Sequence, residues 1–253
     1  MLGVEGAATA AWEYLLDNYT EYQIHSVWSI IFHMAVFWPL CLLYRQLDLR
    51  QAPAFLYKYK IQKRKVVTKE EYNEAFKRAL INQGVAFLLA SALFYVQQRI
   101  GWGVSFSREL PSAFTYLWHL VPFVLVEEFF FFYSHYIFHN KLFYKPIHKF
   151  HHNFTAPVAV ACVYAHPLEH VVANLLPLLL GPILMQAHVT EMWLWLTIGI
   201  VSTINSHSGF DFPFTPDARK HDFHHEAFNY NYGALGILDY LHGTSGSRDP
   251  RKK

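Results

Sequence analysis

Charge is scarce in this sequence, and so is sulfur. Asp, Glu, Lys and Arg make up only 16% of its 253 residues, against roughly a quarter in a soluble domain. That deficit, beside a hydrophobic fraction of 53%, argues against an ordinary water-facing surface and for a membrane protein with modest loops. There are two cysteines, Cys41 and Cys162, each inside an apolar run. Buried free thiols are expected there, which leaves no disulfide framework and no thiolate metal site. The formal net charge is +2, too small for a nucleic-acid footprint. The first 22 residues carry Glu5, Glu13, Asp17 and Glu21 and no Lys or Arg, so they are not the basic start of a secretory signal. No internal repeat and no low-complexity tract interrupts the chain, and its length suits one substantial domain.

What is plentiful is aromatic and imidazole side chain. The sequence holds 22 Phe, 16 Tyr, 7 Trp and 16 His. Eight of the histidines fall into three short patterns: His135 and His139 (HxxxH), His148, His151 and His152 (HxxHH), and His221, His224 and His225 (HxxHH). On a helix, positions i, i+3 and i+4 share a face, so each cluster is expected to aim its imidazoles at one point. Eight ligands are too many for a single ion. The pattern therefore predicts two metals held side by side. His207, just ahead of the third cluster, is the candidate ninth ligand; His166 and His170, flanking Pro167, are weaker candidates for metal binding or for lining the substrate's way in. His25, His33, His119, His188 and His242 lack ligand spacing and read as packing or interfacial residues.

The apolar runs place these clusters. Residues 24–44 are uncharged and long enough for one span. Residues 45–78 change character abruptly, with ten Lys or Arg, and such a loop stays in the cytosol; its run Lys58-Tyr-Lys-Ile-Gln-Lys-Arg-Lys reads as a solvated face. Thr68-Lys-Glu-Glu71 has the form of a capping box and starts a helix that feeds the second span, 80–96. The third span, 117–138, contains Glu127 and Glu128, which are costly at membrane depth and mark a function. With Glu169 and Asp222 they are the candidates for orienting ligand imidazoles from behind. Residues 171–185 and 192–204 are short apolar segments, the first interrupted by Pro177 and Pro182, and are expected to form a full or re-entrant hairpin. Counting crossings from a cytosolic basic loop brings all three histidine clusters to one cytosolic face.

The expected architecture is all-α: an integral membrane helical bundle of about four spans, or three spans plus a hairpin, under a cytosolic histidine-rich cap. Residues 1–114 would supply the N-terminal spans and basic loop, 115–245 the histidine clusters, and 246–253 a basic tail. Imidazole suits iron, zinc and copper, whereas soluble di-iron bundles rely on Glu ligands. Zinc hydrolysis needs only three protein ligands. So many histidines at a membrane face fit a di-metal centre that oxidises a C–H bond of a lipid with dioxygen, with no acid–base residue needed beyond the ligands.

The same residues, with Tyr-Ala-His-Pro-Leu-Glu at 164–169, Asn-Ser-His-Ser-Gly-Phe-Asp-Phe-Pro at 205–213, Asn231-Tyr-Gly233 and Asp239-Tyr-Leu-His-Gly-Thr244, resemble the fatty acid hydroxylase superfamily in its sterol desaturase and methylsterol monooxygenase branch. The likeness is strong over roughly residues 115–245. It implies two non-haem irons, a place in the endoplasmic reticulum membrane, and electrons from a separate donor such as cytochrome b5 or its NAD(P)H reductase. It also implies O2-dependent oxidation of a sterol methyl group in sterol biosynthesis. Two alternatives remain open at this point: a fatty-acyl or sphingoid hydroxylase or desaturase on the same metal core, and a non-catalytic metal-binding scaffold. Where the relatives often carry an acidic residue two positions before the His-Ser-Gly histidine, this chain has Asn205.

Overall fold

The computed structural model describes residues 4–213, 215 and 218–248, apart from the side chains of residues 4 and 5. It is helical, and among the described residues the only extended pairing is two isolated bridges, Lys60 with Phe210 and Ser105 with His188. Helix α1 runs Val4–Asn18, α2 Gln23–Arg50, α3 Lys69–Ile100 and α4 Ala113–Phe138. A long connection follows, containing two tight turns, His148–Asn153 and Ala159–Val163. Then come α5 (Pro167–Leu184), α6 (Val189–His207), α7 (Ala218–Ala227) and α8 (Ile237–His242).

Four of these, α2 to α5, are long and apolar enough to cross a membrane. Local chemistry sets their ends. Thr68 and Glu71 form the capping box that opens α3: the Thr68 hydroxyl accepts from the Glu71 N–H at 3.2 Å, and the Glu71 carboxylate accepts from the Thr68 N–H at 2.8 Å. The basic loop thus passes without a break into a 32-residue helix. Ser112 caps α4 and His166 caps α5, with Pro167 in the first turn where its missing N–H costs nothing.

The hairpin expected over 171–204 is α5 and α6. α5 leaves from the histidine-bearing end, the chain turns at 185–188, and α6 returns to that end at His207. Trp195 on α6 donates its indole N–H to the Leu178 carbonyl on α5 at 2.9 Å. Gly181 lets α5 lie on α4: a Cβ there would sit 2.9 Å from the Phe123 Cα. Helix α1 covers the far end of the bundle, where Trp12 donates to the Ser107 carbonyl at 2.9 Å and packs edge-on against His188.

One core joins the front and back halves of the chain. Phe37, Cys41 and Tyr44 of α2 and Tyr72 of α3 bury against 158–164, Ile204 and Phe210. Both cysteines are buried and free.

The basic loop is more than a solvated face. Lys60 is buried, pairs with Asp48 at 2.6 Å, and sits 4.6 Å from the centre of the Phe210 ring. Asp48 also accepts from the Tyr72 hydroxyl at 2.6 Å. Around this pair the backbone of residues 59–61 bonds to 209–211, through Ile61 N–H to Gly209 O and Asp211 N–H to Tyr59 O. The sequence hides this, because a lysine among lysines carries no mark of burial. Gly209 has φ +72°, and a Cβ there would press on the Pro157 carbonyl at 2.8 Å, so the turn after His207 needs glycine.

Candidate metal centre

Nine histidines meet at one end of the bundle, and they sort into two groups. His135, His139, His148, His152 and His224 form one; His151, His207, His221 and His225 form the other. Within each, one nitrogen of every ring lies within 4.8 Å of the others. The sorting departs from the expectation that each cluster aims at a single point. His151 and His152 are neighbours in sequence and belong to different groups, and so are His224 and His225. In α7, successive residues are turned by about 100°, so His221 and His225 point one way while His224 points another. Each HxxHH motif therefore gives its first and last histidine to one group and its middle one to the other. The groups touch: the His152 and His225 ring centres are 4.7 Å apart.

The backs of the rings decide which nitrogen carries the proton. His135 donates Nδ1–H to the Tyr232 carbonyl at 2.7 Å, His224 to the Tyr230 carbonyl at 2.6 Å, and His207 to the Thr203 carbonyl at 2.8 Å. His148 donates to Glu169 Oε1 at 2.7 Å, and His151 more weakly to the Tyr164 carbonyl at 3.4 Å. A neutral imidazole with its proton on Nδ1 keeps a bare lone pair on Nε2. Burial, reinforced by neighbouring rings, holds His148, His151, His152, His221, His224 and His225 below their ordinary pKa. The rings are accordingly neutral.

The inward nitrogens crowd together. Nε2 of His148 is 2.8 Å from that of His139 and 3.0 Å from that of His152; His139 and His224 stand 3.3 Å apart. In the second group His221 lies 2.8 Å from His207 and 3.1 Å from His225, and His207 lies 3.3 Å from His151. His151 and His207 both have Nδ1–H committed behind them, so two lone pairs face each other with no proton between. Such an arrangement repels itself until a cation sits among the lone pairs. Neutral nitrogen donors without a carboxylate suit iron, zinc or copper. The residues present fit a pair of such ions.

The remaining candidates take other places. Of the four acidic residues proposed to stand behind the ligands, only Glu169 hydrogen-bonds one. Glu128 accepts backbone N–H groups of Leu235, Ile237 and Leu238 at 2.7–3.2 Å, where it anchors the start of α8. Asp222 accepts from Gln62 at 2.9 Å and from Arg248, tying α7 to the basic loop and to the C-terminal segment. Glu127 hydrogen-bonds none of the described residues and lines a cavity. His166 accepts the Leu168 N–H at the start of α5. His170 lines the cavity and lies 3.3 Å from the Asn174 amide. Neither belongs to a histidine group. His119 pairs with Glu191 at 2.8 Å, His188 caps α6, and His242 meets the Tyr133 hydroxyl at 3.0 Å. Of the basic tail, 249–253 lies outside the described residues.

The carbonyls of Tyr164, Thr203, Tyr230 and Tyr232 are functional groups that the sequence does not announce, because a backbone acceptor has no residue signature. The cavity was equally hidden. It measures about 1270 Å³, runs among α2, α4, α5 and α6 to His207 and His221, and continues past them to the polar residues of 58–62, α7 and 231–248. Only the four-histidine group borders it; none of the five-histidine group does, among the described residues.

The sequence profile for fatty acid hydroxylase matches residues 120–244, the stretch that carries every one of the nine histidines. Fatty acid hydroxylase domain-containing protein 2 of Macaca fascicularis is 38% identical over 239 residues, covering 93% of this chain and 72% of that protein. The chain belongs to the fatty acid hydroxylase family. Methylsterol monooxygenase 1 of Rattus norvegicus is 34% identical over 244 residues, covering 92% of this chain and 82% of that one. Fatty acid hydroxylase ahd1 of Mycosarcoma maydis is 33% identical over 232 residues, covering 91% and 60%. No solved structure matches. Membership puts the chain among the lipid monooxygenases, and its four apolar helices are those of a membrane enzyme.

Proposed function

We propose that this chain is a membrane-bound non-haem di-iron monooxygenase that oxidises a methyl group of a 4-methylsterol with O2, in sterol biosynthesis. The observation that carries the reading is the pair of histidine groups, one of which opens onto a cavity running between apolar helices. Two irons bound there, reduced by electrons from a separate donor such as cytochrome b5 or its reductase, would supply the activation of dioxygen.

The protein's own residues do the rest. The Nδ1–H bonds of His135, His148, His151, His207 and His224 keep their Nε2 lone pairs turned inward. Glu169 meets His148 Nδ1 from behind at 2.7 Å, a contact that fixes the orientation of that ring. Burial of seven of the nine rings limits the access of water to their nitrogens. The cavity walls, including Phe131, Leu178, Trp195 and Ile200, would hold an apolar substrate with its reacting carbon toward His207. In the cell, the histidine end would face the cytosol, a reading supported by the basic loop at 45–78, which packs at that same end; the endoplasmic reticulum membrane is what the family resemblance implies. The sterol assignment leans on the methylsterol monooxygenase relatives.

The test is chemical. The full chain is expressed in cells that cannot oxidise 4-methylsterols, under 18O2, and the sterols are analysed by mass spectrometry. A fall in 4-methylsterols with 18O in the oxidised product supports the assignment. Unchanged 4-methylsterols beside an 18O-labelled fatty-acyl or sphingoid product would move the substrate to the acyl class.

A further inference from the structure

Of the acidic residues on the long helices near the cavity, most are held by the protein itself: Glu128 accepts three backbone N–H groups, Glu169 meets His148 through one oxygen, Glu191 pairs with His119 and caps its own helix, and Asp48 pairs with Lys60. Glu127 is held through neither oxygen. It sits inside α4, a candidate membrane span, lines the cavity, and makes no hydrogen bond with any described residue. His33 of α2 lines the same cavity and also makes no hydrogen bond with a described residue. An unpartnered carboxyl at membrane depth is costly, so its retention calls for a ligand that repays it.

Its depth can be read from the helix. Glu127 precedes His135 by eight residues, which at 1.5 Å per residue places it about 12 Å further into the bundle. The cavity follows α6 over a comparable depth, from Trp195 to His207, roughly 18 Å by the same rise. A substrate lying along this space has one end at the histidines and its middle or far end beside Glu127.

We propose that Glu127, in the cavity that His33 also lines, forms a hydrogen-bonding subsite for a hydroxyl that the lipid carries on the order of 12 Å from its oxidised carbon. A hydroxyl can meet a carboxyl oxygen as donor or acceptor, and it brings no charge into the span. The natural substrate on this account is a lipid with a second polar group, distinct from any group next to the reacting carbon. The proposal rests on the lipid-oxygenase reading for which end of the cavity is reactive.

Binding tests it without turnover. Trp195 lines the cavity and serves as a fluorescence reporter in the purified full chain. The probes are a 4-methylsterol and the same sterol hydroxylated on its side chain. The hydroxylated probe is expected to bind wild type about tenfold more tightly, the worth of one hydrogen bond otherwise left unmade. Glu127→Leu should bring the two dissociation constants together, and Glu127→Gln, which keeps an acceptor of the same shape, should retain a smaller preference. Equal binding of both probes by wild type overturns the subsite and needs no variant to fold. A preference unaltered in Glu127→Gln and Glu127→Leu also overturns it. Oxidation of the parent sterol is assayed separately: a binding preference without any O2-dependent product leaves the subsite standing and refutes the oxygenase reading.

Discussion

His148 and Glu169 are 21 residues apart in sequence, and both are buried; the imidazole Nδ1–H meets the carboxylate at 2.7 Å. This is the one carboxylate among the described residues that hydrogen-bonds a histidine of either group. It fixes the ring's tautomer and raises its basicity, and partners of this kind are typically worth 10–100-fold in metal affinity. Glu169→Ala should therefore weaken metal retention by roughly that factor, and Glu169→Gln by less. Competition with a chelator, read by metal analysis, measures it. Retention equal to wild type in Glu169→Ala would mean the contact is structural only.

The split of each HxxHH motif makes adjacent histidines separable. His151→Ala should deplete the metal held with His207, His221 and His225, while His152→Ala should deplete the one held with His135, His139, His148 and His224. Each variant is expected to lose one ion per chain and keep the other. His188→Ala, whose ring caps α6 at the far end of the bundle, should keep both. Metal content per chain and the spectrum of the remaining ion distinguish the two depleted forms. Identical spectra from His151→Ala and His152→Ala would refute the division.

Much of this arrangement was legible in the sequence. The clusters, the apolar runs and the capping box at Thr68 are periodic or local signals, and the structure has α2 to α4 where those signals put spans and α5 with α6 where they put the hairpin. The hairpin over 171–204 followed from needing His166–His170 and His207 at one end. What the sequence concealed is relational. Which histidine joins which group depends on the phase of α7 against the tight turn at 148–153. Glu127 and Glu128 look alike in sequence, yet one faces the cavity and the other holds the start of α8, a difference of about 100° of helix rotation. Lys60 looked like its neighbours and is buried, because Asp48, in the last turn of α2, meets it.

That buried pair has a measurable weight. Lys60 and Asp48 have 5% and 10% of their side-chain surface exposed. Removing one partner of such a pair strands the other and costs about 3–5 kcal/mol. Lys60→Met should lower the stability of the full chain by that order, seen as an earlier thermal transition in detergent. The double change Lys60→Met with Asp48→Leu should recover part of the loss, since no charge is then left behind. A single variant as stable as wild type would show that water reaches Asp48.

The central claim is that nine histidines hold two irons, and metal analysis of the purified, iron-supplied full chain tests it most directly. The account predicts two irons per chain, falling to one in His207→Ala and to one in His135→Ala. A single ion in the wild type, or two ions that survive both substitutions, would contradict it.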